Sequence, residues 1–269
     1  MKITKKSKKF NATFESLQES ADWIKNIPDN QYSKTHHRTH DKKWAGGLWE
    51  DMIKQIECGN EERTAKMVDA VDKIKTLASV KPVGYRRDVT GEFFDVGLVV
   101  SGEPEQWYEE EERPAFETID IIVNRTEACG VSTTEVRRRG AAVLALVDIL
   151  SESYLVNVKI VNVEDYCGKT YTFEVNFDNK PFDRDAFAFA VTSPMFNRRL
   201  AFSWLEKATG ERKCPGYGRP ADLPEKEIGD ALYFGSSSWD YQFKEWFKTD
   251  EKAAEYVESV LKKYNVDID

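Results

Sequence analysis

All three histidines of this chain lie in one stretch, HHRTHD, at His36, His37 and His40, with Asp41 beside them. Imidazole and carboxylate are zinc ligands, and His36 and His40 share a face if the stretch is helical. A zinc hydrolase also needs a general base, and no HExxH pattern or second ligand cluster is present. The same stretch is strongly basic. Lys5, Lys6, Lys8 and Lys9 come first, then Arg38, Lys42 and Lys43, and Trp44 and Trp49 follow. Lysine and arginine neutralise phosphates, and an indole can stack on a base. Lys5, Lys6, Lys8, Lys9, Arg38, Lys42, Lys43 and Trp44 are therefore the candidate surface for single-stranded nucleic acid. A solvated basic tail, with both tryptophans packed in the core, is the competing reading.

Other patterns carry less chemistry. Gly168-Lys169-Thr170 resembles the tail of a phosphate-binding loop, but Val163 stands where the first glycine of that loop belongs. Arg137, Arg138 and Arg139 are consecutive, so on a helix they sweep about 200° and cannot share one face. They read as ion-pairing residues, at least one of them facing an inner carboxylate, and Arg198-Arg199 forms a similar pair. Glu109 to Glu112 form an acidic run suited to a solvated loop or a basic partner. Cys58, Cys129, Cys167 and Cys214 are far apart and form no CxxC pair, so no zinc knuckle or disulfide framework is expected. Cys129 has no histidine nearby in sequence, and no GxSxG nucleophile elbow occurs. The expectation is a non-enzymatic protein without cofactor or bound metal.

The elements that must position these residues follow from composition and period. With 269 residues and 41% hydrophobic content, the chain can bury a large core. Residues 1–43 carry ten Lys/Arg against five Asp/Glu, whereas the whole chain has a net charge of −8. A basic head thus precedes an acidic body, and such a head suits nucleic acid or an acidic partner. No apolar run reaches the roughly 18 residues of a membrane span, and no apolar segment follows MKITKKSKKF as in a signal peptide. A reducing, cytoplasmic setting is expected.

Phe14, Leu17, Ala21 and Ile24 recur at helical spacing up to Pro28, and LWEDMIKQIECG and ERTAKMVDAVDKIKTLA read as two more helices. Residues 1–80 are thus expected to be a basic, mainly helical region. From 81 to 269 the pattern alternates. ETIDIIVN reads as a buried strand, and Ser132 with Glu135 has capping-box spacing ahead of a helix with Val136, Val143, Leu144, Val147 and Leu150 on one side. LVNVKIVNVED and KTYTFEVNFD read as a hairpin around Gly168. DAFAFAVTSPMFNRRLAFSWLEKATG reads as helix interrupted by Pro194. DALYFGSSS reads as a short strand, and DEKAAEYVESVLKKYNV as a last amphipathic helix. The alternation predicts an α/β sheet covered by helices.

ETIDIIVNRTEACGVSTTEVRRRGAAVLALVDIL, followed by VNVKIVNVED, resembles the opening of a von Willebrand factor A-like domain. With WAGGLWEDMIKQIECG, GYRRDVTGEFFDVG, FNRRLAFSWLE and GYGRP, it also resembles a group of uncharacterised tailed-phage proteins. The resemblance implies a Rossmann-like sheet flanked by helices, with a helical N-terminal extension. It further implies a divalent cation after the first strand, held by D-x-S-x-S with a later Thr and Asp, because a hard cation needs oxygen ligands. The matching residues here are Asn124, Arg125, Thr126, Glu127 and Ala128. Asn124 and Ala128 remove a charge and a ligand, Thr126 keeps a hydroxyl, and Arg125 adds a positive charge, so the cation site is expected to be degenerate. The function implied is a phage adaptor in the host cytoplasm, binding a phage or host protein of the transcription or replication machinery, and single-stranded DNA in the alternative reading.

Overall fold

Along KFNATF, apolar and polar residues alternate, and Phe10, Ala12 and Phe14 are all buried. In the computed structural model this run is a strand, not the approach to a helix. Residues 1–28, 32–35, 43–59, 61–77, 85–88, 93–94, 100–101, 104, 107–110, 117–152, 154–177, 183–210, 217–237, 245–264 and 266 are described. β1 (Lys2–Lys6) and β2 (Lys9–Phe14) form a hairpin that opens the main sheet. The basic head is thus a strand pair and not a solvated tail, whereas the described elements from Leu17 to Leu77 are helices. Phe14 fits both periods: it ends the strand, and helix α1 (Leu17–Ile24) starts only after Ser16, whose hydroxyl accepts from the Glu19 N–H.

Seven strands build the main sheet: β1, β2, β6 (Thr118–Asn124), β7 (Leu155–Tyr166), β8 (Lys169–Asn176), β9 (Arg219–Pro220) and β10 (Leu232–Phe234). Their order is β1-β2-β8-β7-β6-β10, with β9 paired to the far end of β7. β6 runs parallel to both β7 and β10, and β2 runs parallel to β8. Because β2 bonds to β8, the first 14 residues share a sheet with the α/β part, and no break in the sheet falls near residue 80. A separate sheet holds β3 (Tyr85–Asp88), β4 (Phe93–Phe94) and β5 (Trp107–Glu110) in the order β3-β5-β4.

Helices pack on one face of the main sheet. They are α1, α2 (Tyr32–Thr35), α3 (Trp49–Cys58), α4 (Glu61–Leu77), α5 (Thr133–Leu150), α6 (Arg184–Thr192), α7 (Phe202–Thr209) and, after the short α8 (Glu225–Ile228), α9 (Asp250–Lys263). A π-helical segment, Phe196–Ala201, leads into α7 after Pro194 ends the preceding run. α5 connects β6 to β7 and begins with the expected capping box between Ser132 and Glu135. Ala141 to Val147 are all buried, because α4, α6 and α9 cover the side of α5 turned away from the sheet. A helix apolar all round belongs in such a middle layer. On the opposite sheet face, Ile122, Val161 and Val163 form a small cluster with Leu223 and, around it, Ala221, Ile228, Ala231 and Tyr233. The rest of that face carries polar side chains such as Asp120, Asn157 and Glu174.

Cys58 and Cys129 are free and exposed, whereas Cys167, in the β7–β8 turn, is disulfide-bonded. That departs from the expectation of four reduced thiols. Cys167 also holds a φ of 50°, with Gly168 at 74° next to it, which is how the two-residue turn closes.

Gly140 is the closest approach of α5 to α6. An added Cβ would press on the Val191 carbonyl oxygen and lie 2.6 Å from Thr192 Cγ2. Gly140→Ala should therefore cost about 3 kcal/mol despite the better helix propensity of alanine. Urea unfolding checks this, and an unchanged midpoint would show that the α5–α6 contact is loose.

Candidate functional site

β6 and β10 end together beside the middle of β7, which runs on from Val161 to Tyr166, and ligands of open α/β sheets commonly bind at such strand ends. The chain leaving β6 is zipped in from both sides. The Arg125 N–H donates to the Val161 carbonyl at 2.7 Å, the Ser237 N–H to Thr126 O at 2.9 Å, and the Ala128 N–H to Ser237 O at 2.8 Å. Asn124, Arg125, Thr126, Glu127 and Ala128 are all buried.

The polar atoms at the expected cation positions are already used within the protein. The Asn124 amide donates to Ala221 O at 2.8 Å, to Tyr233 Oη at 3.1 Å and to Asp222 Oδ1 at 3.2 Å. Its carbonyl oxygen accepts from the Thr126 N–H at 3.1 Å. The Thr126 hydroxyl accepts from the Val163 N–H at 2.7 Å. Ala128 packs with Val131 and Val136 in a small apolar cluster. Burial pushes the Tyr233 phenol up to about 12.

The carboxylate of the loop, Glu127, is held by guanidinium groups. Arg125 Nη1 lies 2.5 Å from Glu127 Oε1, and Arg198 Nη2 lies 3.6 Å from Oε2, with all three side chains almost fully buried. Each arginine is also anchored by main-chain oxygens. Arg125 donates to Ala190 O at 2.7 Å and to Ser193 O at 3.2 Å. Arg198 donates to Trp44 O at 2.5 Å and to Val131 O at 2.6 Å. Arg139, from α5, donates to Phe234 O at 3.1 Å and Gly235 O at 2.6 Å, where β10 ends. Burial, then the charge on Arg125, pulls Arg139 down to about 10, against the pull of Glu127. Burial also lowers Arg198, again opposed by Glu127.

Two further buried carboxyls flank this set. Glu206 accepts from the Ser33 N–H at 3.1 Å, from the Ser33 hydroxyl and from Tyr217 Oη at 2.5 Å. Arg199 donates to Ser33 O at 2.9 Å, so this network ties α2 to the π segment and α7. Glu164, on β7, is 4% exposed. Burial, with the nearby Asp165 and Glu127 charges, raises its carboxyl well above the usual range.

Of the residues expected to bind nucleic acid, Lys5 and Lys6 lie on β1, Lys8 in the turn and Lys9 on β2, all exposed. Lys9 Nζ lies 3.3 Å from Glu227. Lys43 is exposed; Arg38, Lys42 and the three histidines lie outside the described residues, as do the side chains of Glu109 to Glu112. Trp44 stands elsewhere: β8 and β7 separate β2 from the β6 end, where its indole N–H donates to Cys129 O at 3.2 Å. The Arg198 guanidinium lies 4.5 Å from its ring centre, so one face of the indole is taken. The lysines and Trp44 are thus two features, not one surface.

The match to known families covers residues 2–268, by the model described as domain of unknown function DUF7192. The chain belongs to that family. No curated protein and no solved structure matches it. The arginine runs were read as ion-pairing, but sequence reasoning missed that Arg139 and Arg198 donate to main-chain oxygens here, and it missed the buried carboxyls Glu164 and Glu206. The available signal was arginine beside apolar residues in runs otherwise destined for burial, as in EVRRRGAAV and FNRRLAF.

Two outcomes test this account. Glu127→Gln keeps the shape but strands the guanidiniums, and should cost about 3–5 kcal/mol in urea unfolding. A loss under about 1 kcal/mol would mean the ion pairs do not hold the loop. Glu164 has a folded pKa above its ordinary 4.5, so its contribution is full below that value and is lost as pH rises through the folded pKa. Glu164→Gln should therefore gain stability over the parent chain as pH rises from about 4.5, with the two converging in acid. A difference independent of pH would refute the raised pKa.

Proposed function

We propose that this chain is a non-enzymatic adaptor protein of a tailed phage, with a degenerate von Willebrand A-like domain. It works in the transcription or replication of the phage genome and acts in the host cytoplasm on a phage or host protein of that machinery. The observation that carries this reading is the filling of the strand-end site by guanidinium groups. Catalytic and cation-binding sites keep a position open for substrate or ion. Here Arg125 pairs with the loop's one carboxylate, and Asn124 and Thr126 spend their oxygens on main-chain N–H groups. The β6–loop–α5–β7 unit supports the A-like reading, since strand, loop and helix fall where the resemblance places them. Among the described residues no helix is long and apolar enough to cross a membrane, and no group of three or more acidic, histidine or cysteine side chains is placed to hold a metal ion.

A second reading, single-stranded nucleic-acid binding, is favoured by one observation: Lys5, Lys6, Lys8 and Lys9 gather on one exposed hairpin. Its affinity would fall steeply with salt.

The adaptor reading expects magnesium, manganese or a chelator to leave the melting temperature of the purified chain unchanged. It also expects a pull-down from infected cells to recover a transcription or replication protein. Stabilisation by a divalent cation, or turnover of a nucleotide that one substitution abolishes, would overturn it.

A further inference from the structure

We infer that the free edge of β1 is a docking strand, to which an acidic, extended peptide segment of a partner adds as one more strand of the sheet. The inference rests on the adaptor reading and names the chemistry of its partner.

Among the described residues β1 is the last strand on its side of the sheet, and all five of its residues are exposed. The hairpin closes on the pair Lys6 and Lys9 around the turn Ser7-Lys8, which makes that pair a mutually hydrogen-bonded one. Alternation then gives Lys2, Thr4 and Lys6 the bonds to β2 and turns the N–H and C=O groups of Ile3 and Lys5 outward. Those groups form the template that strand addition uses.

The charged side chains of the hairpin itself share one sign, and the carboxylates Glu19, at the Met1 amine, and Glu227, at Lys9, meet it. Lys2, Lys5, Lys6, Lys8 and Lys9 lie within the first 14 residues, which contain no carboxylate, in a chain of net charge −8. Lys2 and Lys6 point to the open sheet face, while Lys5 lies on the helix face, 5.6 Å from the Phe10 ring centre. Ile3, 39% exposed, offers a small apolar contact between them. A second copy pairing through β1 would set lysine against lysine, which like-charge repulsion opposes. An acidic strand meets the opposite condition, so the lysines both exclude the self-pairing and select the partner. Nucleic acid fits less well, because the open face beside β1 carries Thr4, Asn11 and Thr13, whereas Phe10 and Phe14 are buried on the other face. Among the described residues no ring there is placed for a base to stack on.

The test uses the full chain and a fluorescent peptide of about eight residues alternating glutamate with valine, the same peptide with lysine for glutamate, and oligothymidylate. Saturable binding of the acidic peptide alone is expected, weakening with salt, with the Ile3 and Lys5 amides becoming protected from hydrogen exchange. Lys5→Pro, which removes one outward N–H at an edge that tolerates proline, should weaken binding about tenfold or more. Lys6→Glu should weaken it too. Peptide binding without protection of those two amides overturns strand addition, and that measurement needs no variant. Preference for oligothymidylate would make the hairpin a nucleic-acid surface instead, and binding of no probe would leave the lysines as mere blunting of the edge. If Lys5→Pro folds and still recovers the same partner from infected cells, the edge proposal falls while the adaptor reading stands.

Discussion

A guanidinium taken out of water must find acceptors for its five N–H groups, and that requirement organises the carboxyl end of this sheet. Arg125 draws on the carbonyls of Ala190 and Ser193, where α6 ends and leaves oxygens without helical partners. Arg139 draws on Phe234 and Gly235 as β10 ends, and Arg198 on Trp44 and Val131. Each side chain thus fastens a chain segment that ordinary secondary structure does not reach. Glu127 stands between two of them and offsets their charge. The arginines satisfy main-chain oxygens, and the carboxylate allows the arginines to be buried.

The π segment belongs to the same constraint. In Phe196–Ala201, the consecutive Asn197, Arg198 and Arg199 are all buried, each toward a different partner. Asn197 Oδ1 accepts from Asn162 on β7, Arg198 reaches Glu127, and Arg199 reaches Ser33 and Gly47. A regular amphipathic helix turns part of such a run to solvent. Here Pro194 breaks the regular ladder before the segment, and the local π geometry goes with a polar run turned wholly inward.

Local pattern made some of this legible. The β6 strand, the Ser132–Glu135 capping box, the hairpin at Gly168 and the final helix follow from residue period and cap chemistry, which act over a few positions. The β1–β2 hairpin was not legible, since Phe14 serves both a strand and a helical period, and the partner that decides between them is β8, far along the chain. The inward turn of some arginine was legible, but which ones and onto which acceptors was not, because those acceptors come from residues 44, 131, 190, 193 and 234, and no short window contains them. Arg137 and Arg138 show the limit well. Arg138 pairs with Asp250 and Arg137 is exposed, while Arg139, one residue on, is in the core.

An arginine and a divalent cation give a strand-end loop different properties. A divalent cation is exchangeable and leaves a coordination position for an outside oxygen, so a loop that holds one can be switched by ion concentration or by a ligand carboxylate. A guanidinium is tethered, stays charged at neutral pH, and here directs its N–H groups to oxygens of its own chain. The loop is then locked in one arrangement with no exchangeable part. Under the adaptor reading proposed above, the partner contact falls elsewhere on the fold, where main-chain groups or charges face solvent. On that reading the contact lies away from the strand ends, where the arginines donate to main-chain oxygens, and toward the outer edge of β1, where N–H and C=O groups face solvent among lysines.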